Sequence, residues 1–348
     1  HNTRVLTGVI SMLTERQLLI FQVIIDDFIE TAHPVGSSAI SKKDNITVSA
    51  ATVRNVMAEL EEMGFLEKTH TSSGRVPSEK GYRYYVDHLI TPTAEKIQTD
   101  IIGHLIQDGF FEFEQIVQMS AQVLSDLTNY TSIILGPEIY ETKLRQLQIV
   151  SLTPRTAVAI LVTNTGYVEH RAFTIPESIK PNELEKMANI LNEQLQGVSI
   201  AELAAELNSE LLNMMKKYIR NVDKVFQFFK EALYYEQPIK LYIGGKSNIL
   251  MQPEFNDVDK IRSFYAMIEN EGEIVNLLKD KHDGIQVTIG HENEVDAIKD
   301  FSLITSPYEL VDNHLGTIAL LGPTRMEYKK VIRILHTFAD EMTDAFDI

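Results

Sequence analysis

A chain of 348 residues exceeds what one ordinary core holds, so two or three domains are expected. A hydrophobic content of 44%, with 15 Phe and 13 Tyr, supports packed domains rather than disorder. The net charge of −17 argues against a general affinity for nucleic acid, yet only the local field at a docking face decides that question. With no cysteine, a disulfide scaffold and any thiolate zinc site are excluded, and a reducing cytoplasm fits. Apolar stretches such as 157–162 are far short of a membrane span, and no secretory signal is evident. Residues 1–11 read as a leader or added sequence, because Met12-Leu13-Thr14-Glu15-Arg16 has the form of a natural start.

In chain order, Leu18, Phe21, Ile25 and Phe28 recur at helical spacing, which predicts an amphipathic helix over 14–31 capped by Thr14. Pro34-Val35-Gly36 breaks it. A short helix over 37–43 and a turn over 45–48 follow. Ser49 then caps a third helix with Val53, Val56, Met57, Leu60 and Met63 on one face. Gly64 stands where a left-handed residue closes a helix. Two short strands, 65–69 and 75–77, flank the polar turn Thr71-Ser72-Ser73-Gly74. A fourth helix covers 78–89, and Pro92 marks a domain boundary.

One or two helices are predicted over 94–129, then strands at 133–135, 147–152, 157–163 and 167–173 in one mostly antiparallel sheet. Helix 181–196, a helical run over 200–235, strand 239–243 and helix 258–279 come next. Strands at 285–289, 301–305 and 317–321 and a helix over 325–346 close the chain. This order predicts an α+β multidomain protein: a DNA-binding domain at 12–90, a sheet domain at 94–195 plus 284–348, and a helical insertion at 196–283.

The informative segment is the third helix. A recognition helix must bury one face and keep the other compact and polar enough to enter a major groove. Here the other face opens with Ala51, Thr52 and Asn55, with Arg54 beside it. Thr52 and Asn55 can bond base edges or phosphate, and Arg54 can pair with guanine or grip phosphate. Ser49 leaves N–H groups suited to an anion. The same pattern also describes an ordinary core helix with a solvated face. The succession of three helices, glycine, strand, polar turn and strand distinguishes the two, and it predicts a winged helix-turn-helix. Ser72 and Ser73 supply the wing tip, Arg75 its base, and Lys42, Lys43 and Arg83 the surrounding positive charge.

Thr71-Ser72-Ser73-Gly74-Arg75-Val76-Pro77 and Gly81-Tyr82-Arg83-Tyr84-Tyr85-Val86-Asp87, with the third helix and its Gly64-Phe65-Leu66-Glu67 exit, resemble the HrcA family of heat-inducible transcription repressors. The resemblance runs from Met12 to the C-terminus and is densest in the first ninety residues. Thr69 departs from it, standing before His70 where the family has proline. The resemblance implies a repressor of chaperone operons that binds double-stranded DNA at an inverted repeat as a homodimer. It further implies a GAF-like domain interrupted by a dimerising insertion, and a GroEL-type chaperonin as partner.

Leu203, Leu207, Leu211, Leu212, Met215, Ile219, Val222, Phe226 and Phe229 are candidates for the dimer interface, and equally for an internal core. Gly244-Gly245-Lys246-Ser247 lacks the earlier glycine of a phosphate-binding loop, since Lys240 occupies that place. His282, His291, Glu292 and Glu294 lack the four-residue spacing of a helical histidine pair. No catalytic constellation, metal site or cofactor motif emerges, so a non-enzymatic regulator is expected. The alternative is a one-component regulator with a small-molecule site in its C-terminal domain.

Overall fold

The computed structural model describes residues 13–69, 74–90, 113–136, 143–164, 168–177, 179–200, 202–220, 222–233, 240–279, 281, 283–310 and 314–346. Helix α1 (Glu15–Thr31) starts in a capping box: Thr14 Oγ1 accepts from Gln17 N, and Gln17 Oε1 accepts from Thr14 N. It ends at Ala32, which takes up the left-handed conformation at φ 55°. Helix α2 (Ser37–Ile40) is shorter than the spacing predicts, and α3 (Ala50–Glu62) begins at the Ser49 cap. Gly64 closes α3 at φ +79°, as its position predicts. Strands β1 (Leu66–Lys68) and β2 (Arg75–Pro77) pair antiparallel, and Val35 bridges to Arg75 on the outer edge. Helix α4 (Glu79–His88) completes this unit. Phe21, Ile24, Val53, Met57, Leu60 and Phe65 fill its core. The rings of Phe21, Phe65 and Tyr84 lie 5.2 to 6.1 Å apart, edge-on or tilted.

Beyond it come α5 (Phe113–Thr128) and β3 (Thr131–Leu135). The remainder of the helical stretch expected over 94–129 lies outside the described residues. Strands β4 (Leu144–Thr153), β5 (Thr156–Thr163) and β6 (Val168–Thr174) follow, then helices α6 (Pro181–Leu195), α7 (Leu203–Glu206), α8 (Ser209–Lys216) and α9 (Val222–Leu233). Strand β7 (Leu241–Gly244), helices α10 (Val258–Glu269) and α11 (Glu271–Leu278), strands β8 (Gln286–Ile289), β9 (Phe301–Leu310) and β10 (His314–Pro323), and helix α12 (Tyr328–Phe346) complete the chain.

The strands divide between sheets in a way the sequence pattern does not convey. A five-stranded antiparallel sheet has the order β7-β3-β10-β9-β8. Ile134, Ile304, Ile318 and Leu320 on one face pack with α5 and α12, while Ile133, Leu303, Ala319 and Leu321 on the other pack with α10 and α11. Strands β4, β5 and β6 form a second sheet of their own. Its Ala157, Ala159 and Leu161 bury against Leu184, Met187 and Leu191 of α6 and Phe226 and Phe229 of α9.

Strands β4 to β6 and helices α6 to α9 thus share one core, and β7 joins the five-stranded sheet, a grouping that differs from the division expected at 94–195, 196–283 and 284–348. An apolar run of strand length marks a strand but not which sheet it joins. Helices α10 and α11, expected within the insertion, cover the five-stranded sheet. The apolar helix positions proposed for an interface are internal: Leu203, Leu207, Leu211, Met215, Ile219, Val222, Phe226 and Phe229 are buried in the insertion's own core, with Leu212 packed against it. Part of its exposed apolar surface lies on the outer side of the sheet, where Val150 (42% exposed) pairs with Val158 and Val168 (53%) pairs with Val162, and part on the helical side at Tyr218 and Phe228.

Candidate nucleic-acid interface

Helix α3 divides cleanly. Val53, Val56, Met57 and Leu60 are buried against α1 and the hairpin, which turns the opposite face to solvent. On that face Ala51, Arg54 and Asn55 are exposed and Thr52 is half-exposed. Ser49 Oγ accepts from Thr52 N at 3.2 Å and lies 3.1 Å from Thr52 Oγ1. That fixes the first turn and commits both hydroxyls to the cap. Among the described residues no side chain pairs with Arg54 or Asn55, so their polar groups are available. The absence of β-branched bulk at Ala51 and Ala58 leaves room for a backbone to approach.

The other expected contacts are differently placed. Lys42 is exposed, whereas Lys43 is tied to Asp27 at 2.5 Å, a bond that raises its pKa above the usual lysine range. Ser72 and Ser73 lie outside the described residues. Arg75 turns back from the hairpin: its Nε donates to Glu61 at 2.6 Å, and its side chain is only 17% exposed. It thereby ties the base of the hairpin to the last turn of α3. Lys68, outside the expected set, stands opposite Arg75 and is exposed.

Arg83 faces away from this surface. Its guanidinium bonds to the Glu292 carboxylate, to Asp87 at 3.2 Å and to the Val287 carbonyl at 2.6 Å. The Glu292 hydrogen bond raises its pKa further above the usual arginine value. Beside it, Glu79 accepts from His291 N at 3.2 Å and meets its Nδ1 at 2.8 Å. Gly290, at φ +56°, lets the carboxylate sit there, since a Cβ would lie 2.0 Å from Glu79 Oε1. Arg325 donates to the Ile29 carbonyl at 3.1 Å while paired with Glu254, and the rings of Tyr82 and Tyr328 lie 5.8 Å apart. These contacts hold α1 and α4 to the five-stranded sheet domain.

The family model described as the HrcA protein C terminal domain matches residues 114–332. The "Heat-inducible transcription repressor HrcA" of Oceanobacillus iheyensis is 62% identical over 336 residues, covering 97% of this chain and 98% of that one. The chain belongs to the HrcA family. Membership makes it a transcriptional repressor of the heat-shock class, a regulator rather than an enzyme. A solved structure described only as a hypothetical protein at 2.2 Å resolution superposes with a TM-score of 0.68 at 20% identity. It covers 96% of this chain and 98% of its own, and shows the fold alone. Among the described residues no helix is long and apolar enough to cross a membrane.

Proposed function

We propose that residues 13–90 form a winged helix-turn-helix that docks α3 in the major groove of an operator, and that the chain represses by occupying an inverted repeat as a homodimer. The observation that carries this is the unpaired, solvent-facing set Ala51, Arg54 and Asn55 on a helix whose other face is buried in its own unit. Lys42 and Lys68 supply phosphate contacts from either side, and the hydroxyls of Ser72 and Ser73 are assigned to the same role. Arg75 and Lys43 act by holding the hairpin and α1 in place, and Arg83 by fixing the unit to the sheet domain. An inverted repeat demands a two-fold protein, so that two copies of α3 enter successive grooves.

With the insertion's helical positions filling its core, the interface is assigned to the open side of the β4-β5-β6 sheet. The central sheet flanked by α5, α12, α10 and α11 is read as GAF-like. A GroEL-type chaperonin would bind chains in which heat has opened the insertion, since Phe226 and Phe229 are buried until then. A cytoplasmic site of action follows from the DNA target. Footprinting of the full-length protein on the DNA upstream of chaperone operons tests the reading: protection of two half-sites about one helical turn apart supports it, and no protection at any such site contradicts it.

A further inference from the structure

One nitrogen of a charged side chain in the described structure is buried without a partner. Arg333, in the second turn of α12, has its Nε closed off from solvent with no hydrogen-bond partner among the described residues. A buried donor without an acceptor is costly, although the Arg333 side chain as a whole is half-buried. The group lines a cleft of about 790 Å³ between the N-terminal unit and the sheet domain. Asp26, Ile29 and Tyr85 form one wall; Tyr130, Lys329 and Arg333 form the other.

Some of the neighbouring charges are matched, while the carboxylates of Asp26, in the field of Lys329, and Glu30 also line the cleft. Arg325 holds Glu254 and the Ile29 carbonyl, Lys330 holds Glu327 at 3.1 Å, and Asp26 accepts from the Tyr85 hydroxyl at 3.3 Å. Arg333 is left as the cation without a partner, with the exposed Lys329 beside it. The fork of a guanidinium matches two oxygens of one carboxylate or phosphate. Clefts between domains are where small ligands most often bind.

We propose that this cleft is a binding site for a small oxyanion, a carboxylate or a phosphate, anchored by Arg333. Because its walls come from both units, an occupant favours this placement of the N-terminal unit and is coupled to DNA binding. Only that coupling rests on the DNA-binding reading above.

The test uses full-length protein at constant ionic strength, with chloride as the balancing ion. Inorganic phosphate and succinate are titrated separately, with thermal midpoint and calorimetric binding as readouts. The proposal expects a saturable rise with at least one probe, and which probe responds identifies the class. Arg333→Gln should weaken that binding at least ten-fold, and Arg333→Lys by less. In anion-free buffer Arg333→Met should leave the midpoint unchanged or raise it, because it removes an unpaired donor and keeps the stem. A response no larger than chloride gives, full binding by Arg333→Gln, or a lowered midpoint for Arg333→Met without anion would each overturn it. Loss of operator binding with phosphate or succinate binding intact would count against the DNA reading alone.

Discussion

Replacing Gly81 by alanine places a methyl group where α4 meets the exit from α3. The added Cβ would lie 2.3 Å from the Phe65 carbonyl oxygen and 3.3 Å from Phe21 Cζ. That oxygen cannot retreat easily: it accepts from Ser78 N at 3.0 Å, while the Ser78 hydroxyl donates to Gly64 O at 2.6 Å and accepts from Gly81 N at 3.0 Å. The helix must therefore move by about an ångström, and it carries Tyr82, Glu79 and Arg83 with it. Overpacking of this kind costs about 1–3 kcal/mol, offset by the roughly 1 kcal/mol that alanine gains over glycine inside a helix. Loss of the Arg83 and Glu79 contacts adds to the cost. A net loss of about 1–3 kcal/mol lowers the thermal midpoint by roughly 2–12 °C for a cooperative body of this size. Gly272→Ala is the control: at a helical site whose nearest contact is Asn270 Oδ1 at 3.5 Å, it should be neutral or stabilising. Scanning calorimetry of both variants decides. An unchanged or raised midpoint for Gly81→Ala would refute the claim that backbone packing here requires glycine.

Val150→Lys combined with Val168→Lys, both on the open side of the β4-β5-β6 sheet, should convert the dimer to a monomer in sedimentation. The thermal midpoint of the protomer should move little, since exposed substitutions stay within about 0.5 kcal/mol; a persisting dimer places the interface elsewhere. Operator affinity should fall steeply with salt despite the net charge of −17, with a log–log slope near −0.9 for each phosphate neutralised. A slope near zero would show that Lys42, Lys68 and Arg54 do not touch the backbone. Burial pushes the Glu292 carboxyl up, but hydrogen bonds from Arg83 and Ile289 N and the Arg83 charge hold it below its ordinary value of 4.5. Its stabilising contribution is thus present above pH 4.5 and lost as pH falls through the lower, folded value. Arg83→Gln should lose less stability than the parent on acidification through that window, and an identical pH dependence would contradict the assignment.

Much of the N-terminal unit was legible in the sequence because its signals are local. The Ser49 cap, the buried stripe Val53-Val56-Met57-Leu60 and the left-handed Gly64 all act within one helix, and the structure places each as the spacing predicts. Long-range pairing left no such signal. The continuous apolar run of β5 announced a strand, yet such a run suits either sheet, so its partners stayed hidden. Arg83 read as part of a basic run, whereas its carboxylate partner Glu292 is 209 residues away. Arg75 was drawn into an ion pair with Glu61 on the preceding helix. A charge in a sequence declares its sign but not its partner.

The most direct test of α3 as the DNA-reading element is the operator affinity of Arg54→Ala, measured in the full-length protein with circular dichroism confirming native structure. Arg54 is exposed and unpaired among the described residues, so its removal disturbs no internal contact. The account predicts a loss of about 1–3 kcal/mol per half-site, with binding to unrelated DNA reduced far less. Unchanged operator affinity in a natively folded variant would contradict it.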